Sequence, residues 1–306
     1  MPEPYHQSNA KPIGLSILTI QHIPGLVERS VHLIPLGWEI DRAVLPLKAM
    51  RPHKVHLFCN PESHPFQLHF YRQVAERLDR LGIQHELVRV DANADLMGLL
   101  RELSRCMASE IQAGNRVYVN ISAAGRIAAV AATLVSMAHL EGHGRAYYVR
   151  PTRYDPNEEE RMRHGLSVGM SGDPVDVPLF PLRLPSPEGQ VVLRELEGRG
   201  GSARYFDLFA ALQHAGVEGY MQVEKGTSRG LKGNLTVRLT KTILRPLLEA
   251  HLVTTEKKGR NTVVHLTHGG EYMANMLIGP LGEPALSGSR MKDALMPAGK
   301  HPSKAL

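Results

Sequence analysis

The sequence predicts an α/β fold: a mostly parallel sheet covered by helices, followed by a smaller α+β unit. Three features of the 306 residues carry that reading. Short β-branched runs alternate with segments of helical apolar spacing from residue 31 to 149, the pattern of strand–helix–strand units and a parallel sheet. Five prolines then fall within residues 173–189, a stretch that must be extended. Beyond it the order becomes helix, helix, helix, hairpin, helix.

Each element follows from its own residues. "VHLIPL" (31–36) reads as a strand, and "GWEIDRAVLPLKAM" (37–50) as a loop and an irregular helix that Pro46 interrupts or kinks. "KVHLFCN" (54–60) is a second strand. In 64–82, Phe66, Phe70, Val74, Leu78 and Leu81 share a helical face, and Gly82 stops the helix. "IQHELVRV" (83–90) is a strand, and 95–113 is a helix with Leu96, Leu99, Leu103, Met107 and Ile111 on one face. "RVYVNI" (116–121), an apolar helix at 125–140 and "RAYYV" (145–149) complete a Rossmann-like unit. Its ligand crevice belongs at the carboxyl ends of the strands. Residues 150–172 are polar and irregular, with Glu158–Glu160 read as a solvated loop, and 173–189 is read as an edge strand and linker.

In the second half, helices are expected at about 188–197 and 203–215, then a polar Gly-spaced connection through 234. "LTVRLTKTILRPLLEAHL" forms a third helix, which Pro246 breaks or kinks, with Leu239, Ile243, Leu244, Leu247 and Leu248 on its buried face. "LVTTE" and "TVVHLT" flank "KKGRN", a hairpin with a basic tip. This is the winged helix-turn-helix layout. The organisation is therefore a tail or accessory segment at 1–29, a Rossmann-like unit with linker at 30–186, a winged helix-turn-helix at 187–278 and a flexible tail at 279–306.

Charge separates the halves. Lys and Arg balance Asp and Glu through residue 186, whereas 225–260 holds nine basic residues against two acidic ones, within a net charge of +6. Such a basic patch suits an acidic partner, double-stranded DNA first, over a merely solvated face. Thr236, Arg238, Thr240, Lys241, Thr242 and Arg245 fall on the expected recognition helix, and Lys257, Lys258 and Arg260 at the wing tip suit phosphates or the minor groove. No apolar run reaches the ~18 residues of a membrane span, and the amino terminus lacks a signal-peptide pattern. Cys59 and Cys106 show no metal spacing and fit a reducing cytoplasm. His53, His56, His64, His69 and His85 are scattered, so no metal site is expected. No catalytic Ser-His-Asp or Cys-His set stands out. The Walker A and GxGxxG patterns are absent, which argues against a nicotinamide cofactor.

Two strand ends carry unusual chemistry. At "NISAAGR" a strand ends on Asn120 and a helix begins after Ser122, Ala123, Ala124 and Gly125, with Arg126 at the turn. Small side chains let a ligand approach the backbone, a helix amino end favours negative charge, and Arg126 can grip a phosphate. The alternative is a tight connection capped by Ser122 with no ligand. At "LGWE", Leu36 ends the first strand and Gly37 permits close approach. Trp38, the one tryptophan, can stack on a base, and Glu39 can accept from an amine or hydroxyl, unless both simply pack.

The pairing of "VHLIPLGWEIDRAVLPL" with "VYVNISAAGR", followed by a linker and winged helix, resembles archaeal regulators that join a CRISPR-associated Rossmann-fold (CARF) sensor to a winged helix-turn-helix. The resemblance covers residues 30–277. It implies a homodimeric, cytoplasmic transcription regulator with no catalytic residues and no cofactor. Its regulatory ligand would be a cyclic oligoadenylate, by default cyclic tetra-adenylate, bound at the dimer interface. Leu36, Gly37, Trp38 and Glu39 match the first-strand loop of that family, and Asn120 and Ser122 the start of the fourth-strand turn; Ala123, Ala124 and Arg126 depart from its Gly-Gly and Lys pattern. Two alternatives stay open: a ring nuclease, with Ser122 and Arg126 positioning a 2′-hydroxyl and its phosphate, and a regulator of an unrelated nucleotide or metabolite.

Overall fold

The structure, a computed structural model, describes residues 29–92, 94–220, 229–259 and 261–277, with the backbone alone for 229–232. In the first unit the order is β1 (Ser30–Pro35), α1 (Asp41–Met50), β2 (Lys54–Cys59), α2 (Pro65–Arg80), β3 (Gln84–Arg89), α3 (Leu96–Gln112), β4 (Arg116–Asn120), α4 (Arg126–His139) and β5 (Gly144–Tyr148). Then come β6 (Arg153–Tyr154), α5 (Glu158–His164), β7 (Ser167–Val168) and β8 (Val175–Asp176). The sheet runs β3-β2-β1-β4-β5-β8, parallel except for β8, which pairs antiparallel with β5 at the edge. β1 lies between β2 and β4, so the strand order switches there and opens a crevice at the carboxyl ends.

Alternation along the strands builds two cores. Val31, Leu33, Val117 and Val119 pack under α3 and α4, against Leu99, Leu103, Met107, Ala128, Ala131, Ala132 and Val135. Ile34, Leu36, Val55 and Leu57 face α1 and α2, against Val44, Leu47, Phe70, Val74 and Leu78. The alanines explain the texture of α4: a helix with Ala on its inner face approaches its neighbours closely. Its outer face leaves Ile127 and Val130 exposed.

The second unit comprises α6 (Pro187–Gly198), β9 (Ser202–Arg204), α7 (Tyr205–His214) and α8 (Arg229–Arg238). A π-helical turn (Leu239–Leu244), α9 (Arg245–Glu249), β10 (Val253–Lys258), β11 (Asn261–Leu266) and α10 (His268–Met276) follow. The sheet order β10-β11-β9 and the helices form a winged helix. α10 packs back on the first unit. Arg101 of α3 donates to Asn275 Oδ1 at 2.8 and 3.0 Å and pairs with Glu197 at 3.0 Å. His139, at the end of α4, donates from Nε2 to the Met276 carbonyl at 2.7 Å.

Several elements differ from the sequence reading. Glu158–Glu160 begin a helix, because Asn157 and Glu160 form a reciprocal capping box. β9 is a strand of three residues, too short to show an alternating pattern, and it delays α7 to Tyr205. The third helix starts at Arg229, inside the stretch taken as a polar connection. Pro246 does not break it: the π-helical turn re-registers the hydrogen bonds, and the Arg245 N–H reaches the Thr240 carbonyl five residues back. Phe66 is 46% exposed rather than part of the buried face of α2. The flanking segments 1–28 and 278–306, Lys225 and Arg260 lie outside the described residues.

α1 also departs from expectation, and its reason positions the site. It is a helix straight through Pro46. A proline has no N–H, so the carbonyl four residues earlier, Arg42 O, loses its helical donor. Asn120, fully buried at the end of β4, supplies the replacement: its Nδ2 donates to Arg42 O at 2.9 Å. Its Oδ1 accepts from the Ser122 N–H at 2.9 Å and the Ser122 hydroxyl at 2.5 Å. Asn120→Ala therefore strands three buried polar groups and should lower stability by about 2–4 kcal/mol in urea unfolding. In a Pro46→Ala background the carbonyl regains an N–H, and the cost of Asn120→Ala should fall by about 1 kcal/mol. Strict additivity of the two substitutions would refute the pairing.

A second buried polar cluster sets acid stability. Glu110 Oε1 accepts from His56 Nε2 at 2.7 Å and Lys54 Nζ at 3.3 Å, and Oε2 accepts from Asn115 at 2.6 Å. Chiefly the His56 hydrogen bond holds the Glu110 carboxyl down at about 2, against an ordinary value of 4.5. A depressed carboxylate stabilises the fold fully above its unfolded value and loses that contribution as pH falls through the folded one. Wild-type stability should thus decline between about pH 4.5 and pH 2, and Glu110→Gln should flatten that part of the curve.

Candidate functional site

The carboxyl ends of β1, β4 and β5 meet in one place, and most of the polar groups there are already engaged. The Leu36 N–H donates to the Phe58 carbonyl at 2.9 Å, and the Gly37 N–H to the Ala123 carbonyl at 2.8 Å. A Cβ on Gly37 would stand 3.1 Å from Ala124 Cα, so the smallest residue sits where the two loops touch. The segment after β5 folds over the first loop: the Leu166 N–H donates to the Trp38 carbonyl, and the Ile40 N–H to the His164 carbonyl. Gly165 makes this possible, with φ of 100° and no room for a Cβ above Trp38 and Glu39.

Glu39 lies beneath that segment, 2% exposed. It accepts from Arg42 and, at 2.9 Å, from the Ser167 hydroxyl. Burial raises its carboxyl pKa, opposed by Arg42 and Ser167. Asp41 fastens the same segment, accepting from His164 Nδ1 and the Gly169 N–H, each at 2.8 Å. Ser122 is buried too: its hydroxyl donates to Asn120 and accepts from the Val149 N–H at 3.0 Å.

Of the ten candidate ligand residues, Leu36, Gly37, Glu39, Asn120, Ser122 and Ala123 are therefore buried in the framework, and Trp38, Ala124, Gly125 and Arg126 face outward. Gly125, not Ser122, is the N-cap of α4, and no side chain caps that end. The first-turn N–H groups of a helix have no partner within it, so they are offered to a ligand together with the dipole. Arg126 begins the helix. The sequence reading missed Arg150, exposed and next to Val149, which is itself bonded to Ser122. Nothing in its local sequence distinguished it; the register of β4 with β5 brings it to the turn. The uncapped helix end thus begins with one exposed arginine, Arg126, and a second, Arg150, follows the residue whose N–H is bonded to Ser122.

In the winged helix, Val237, Arg238, Lys241, Thr242 and Arg245 form the exposed face of the third helix. Thr236 and Thr240 are half-buried, and the Thr240 hydroxyl is turned back to the Thr236 carbonyl at 2.8 Å. Arg238 lies over the Tyr220 ring at 5.4 Å, and Arg245 pairs with Glu249 at 2.9 Å. Lys257 and Lys258 are exposed at the end of β10, with Lys258 paired to Glu256 at 3.1 Å. Among the described residues, Lys241 and Lys257 have no acidic partner. Val237, 52% exposed within this basic face, escaped the sequence reading because apolar residues on that helix were assigned inward. Among the described residues no helix is long and apolar enough to cross a membrane, and no cluster of His, Cys, Asp or Glu could hold a metal ion.

Comparison with known proteins agrees with this architecture. Residues 30–154 match the family model described as "HFX_2341_N:-like, N-terminal", and residues 188–278 match that of the DUF6293 C-terminal winged helix domain. No curated protein matches the sequence. Among solved structures, protein VC1899 from Vibrio cholerae is 15% identical over 80% of this chain and 64% of that one, with a TM-score of 0.35. Enterococcus italicus Csm6 bound to cyclic hexa-2'-fluoro-hexa-dAMP is 13% identical over 74% of this chain and 56% of that one, with a TM-score of 0.37. Can2 from Sulfobacillus thermosulfidooxidans in complex with cyclic tetra-adenylate is 14% identical over 81% and 63%, with a TM-score of 0.33. The chain spans less than two thirds of each of these proteins, and likenesses this loose transfer no function. The two family matches thus give residues 30–154 a likeness to the HFX_2341_N:-like N-terminal domain and residues 188–278 a likeness to the DUF6293 winged helix domain, in the order in which the Rossmann-like unit and the winged helix follow one another here.

Proposed function

We propose that the protein is a ligand-responsive, DNA-binding transcription regulator, acting as a cytoplasmic homodimer, whose Rossmann domain senses a cyclic oligoadenylate, cyclic tetra-adenylate by default. The observation that carries this reading is the placement of α4. Its amino end offers uncapped N–H groups beside Arg126, and its carboxyl end is bonded through His139 to α10 of the winged helix. An anion bound at one end acts on the helix that touches the DNA-binding unit at the other. Exposed Ile127 and Val130 next to Arg126 supply an apolar face for a second copy, which would bring two turns to one cyclic ligand. The change from sensor to winged helix is taken to fall between residues 186 and 187, a reading supported by Ser186 as the cap of α6.

Sensing is favoured over cleavage. A ring nuclease of this kind would use Ser122 to position the reacting hydroxyl, and that side chain is buried and hydrogen-bonded on both sides. Calorimetry with a panel of cyclic oligoadenylates, followed by a search for cleavage products, tests both readings.

Arg126→Ala should keep the fold, since the side chain is outside the core, and remove one charge-assisted hydrogen bond per subunit, about 1.5–3 kcal/mol each. Affinity for cyclic tetra-adenylate should drop by at least tenfold while ligand-free DNA binding is retained. Because a ligand changes DNA affinity only through its differential affinity for the two sensor states, the variant should also lose the ligand response at wild-type saturating concentrations. Unaltered ligand affinity would remove Arg126 from the site.

DNA binding should weaken steeply with salt, in proportion to the phosphates neutralised. Replacing Lys257, Lys258 and Arg260 together with Ala should weaken binding to all sequences and flatten that slope by about one for each phosphate left without its cation. Arg238→Ala or Lys241→Ala should instead change which sequences a random pool yields. A wing variant with the wild-type slope would exclude the wing from the interface.

A further inference from the structure

Three aromatic rings crowd the exposed end of β1 and β2. Trp38 is 37% exposed and Phe66 46% exposed, and His64 beside them is exposed as well. The centroids lie 5.6 Å apart for Trp38 and His64, 5.7 Å for Trp38 and Phe66, and 5.4 Å for the stacked His64 and Phe66. Beneath them the buried Phe70 lies nearly parallel to the Trp38 indole, 6.4 Å away. The indole is therefore backed by the core, and its backbone is held by the Leu166 N–H donated to its carbonyl. Phe66 and His64 are fixed too: Pro65 begins α2, and the His64 ring caps that helix by accepting the Phe66 N–H on Nδ1 at 3.1 Å.

Packing alone does not account for the cluster. The inner face of α2 is complete with Gln67, Phe70, Val74 and Leu78, and Phe66 adds almost half of a large apolar ring to the surface. Exposed aromatic area held rigid at a strand-end crevice suits a flat partner. The location narrows the partner. Trp38 follows Gly37, whose N–H is bonded to the Ala123 carbonyl, so the loop that carries the indole touches the β4–α4 turn that leads to the uncapped helix end. A surface that stacks flat rings beside one that attracts anions is what a nucleotide presents in complement: a base and a phosphate. An imidazole that accepts on Nδ1 carries its proton on Nε2, so His64 has a donor left for a base nitrogen.

We propose that Trp38, His64 and Phe66 form the base-stacking shelf of the sensor, which takes a purine base of the bound nucleotide while the α4 end takes its phosphate. This inference rests on the proposed nucleotide-sensing function and adds the residues that read the base. Stacking grows with overlapping ring area, so the bicyclic purines gain more on this shelf than pyrimidines.

Trp38 is the one tryptophan of the chain, so its emission reports the shelf directly. The full chain is titrated with cyclic tetra-adenylate, cyclic tetra-uridylate and pyrophosphate, with Trp emission and heat followed in parallel. Cyclic tetra-adenylate should quench the emission with the same midpoint as the heat, the uridylate ring should bind more weakly, and pyrophosphate should leave the emission unchanged. Phe66→Ala and His64→Ala should each weaken the adenylate ring roughly tenfold, with pyrophosphate binding altered less than threefold, whereas Arg126→Ala weakens both. Phe66→Leu, which keeps the bulk but not the ring, should behave as Phe66→Ala; circular dichroism checks that each variant is folded. If cyclic tetra-adenylate releases heat but leaves Trp38 emission unchanged, and Phe66→Ala binds it like wild type, the shelf is wrong and the sensing function stands. If no cyclic nucleotide gives heat or quenching with wild type, the sensing function is wrong and the shelf falls with it.

Discussion

The Rossmann-like unit depends on one side chain that settles two backbone problems at once. Pro46 leaves the Arg42 carbonyl without its helical donor, and the turn after β4 leaves the Ser122 N–H without a strand partner. A buried backbone group with no partner costs as much as a lost hydrogen bond or more. The Asn120 carboxamide carries a donor and an acceptor in fixed geometry, and it meets both needs. An aspartate would lack the donor and bring a charge into the core; an alanine would leave both groups stranded. The same residue thereby ties α1 to the β4–α4 turn, and the position of the turn relative to the first loop follows from that tie.

Once the loops are locked together, most of the residues that make them recognisable become structural. Leu36, Gly37, Glu39, Asn120, Ser122 and Ala123 hold the backbone in place, partly under the cover of residues 164–169. Only Trp38, Ala124, Gly125 and Arg126 of the motif residues reach solvent. A framework of this kind positions a ligand by keeping the surface rigid, so that little order has to be imposed on binding. It also means that substitutions in the motif divide into two classes with different signatures. Those in the framework lower stability, and those at the four outward residues leave it nearly intact.

The strands and helices of the Rossmann-like unit were legible because period-two and period-3.6 patterns are written directly into runs such as "KVHLFC" and 65–80. The winged helix hairpin was legible for the same reason, with the Gly259 turn between two β-branched runs. What escaped has a common cause: it depends on partners remote in sequence. Arg150 reaches the site only through the β4–β5 register, and Glu39 and Ser167 meet across 128 residues. Pro46 and Pro246 read locally as helix breakers. One is tolerated because Asn120, from another element, replaces its hydrogen bond, and the other because a π-helical turn changes the register before it. The capping box of α5 was visible in principle as Asn157 and Glu160, but in a run of glutamates the charge masks the spacing.

The two units meet along the first half of α3 and at the carboxyl end of α4. There Arg101 joins Asn275 and Glu197, and His139 donates to the Met276 carbonyl, while Met276 itself is buried with the sensor core. Burial holds the His139 pKa below its ordinary value, against the hydrogen bond to Met276, so the ring that makes this contact favours its neutral form. A neutral imidazole bonded to a carbonyl is directional and short-ranged, unlike an exposed ion pair, and it transmits displacement more than charge. α4 is fourteen residues long, on the order of 20 Å at 1.5 Å per residue, and its inner face packs Ala128, Ala131, Ala132 and Val135 into the core, with the buried Ser136 hydroxyl donated back to the Ala132 carbonyl at 2.6 Å. Gly125 and Arg126 at one end and the bond to Met276 at the other therefore belong to one continuous helix that runs from the crevice to α10. α10 follows the wing directly in sequence, and Thr267 caps it while also bonding to the His251 carbonyl at the foot of β10, which ties α10 to the hairpin that carries Lys257 and Lys258.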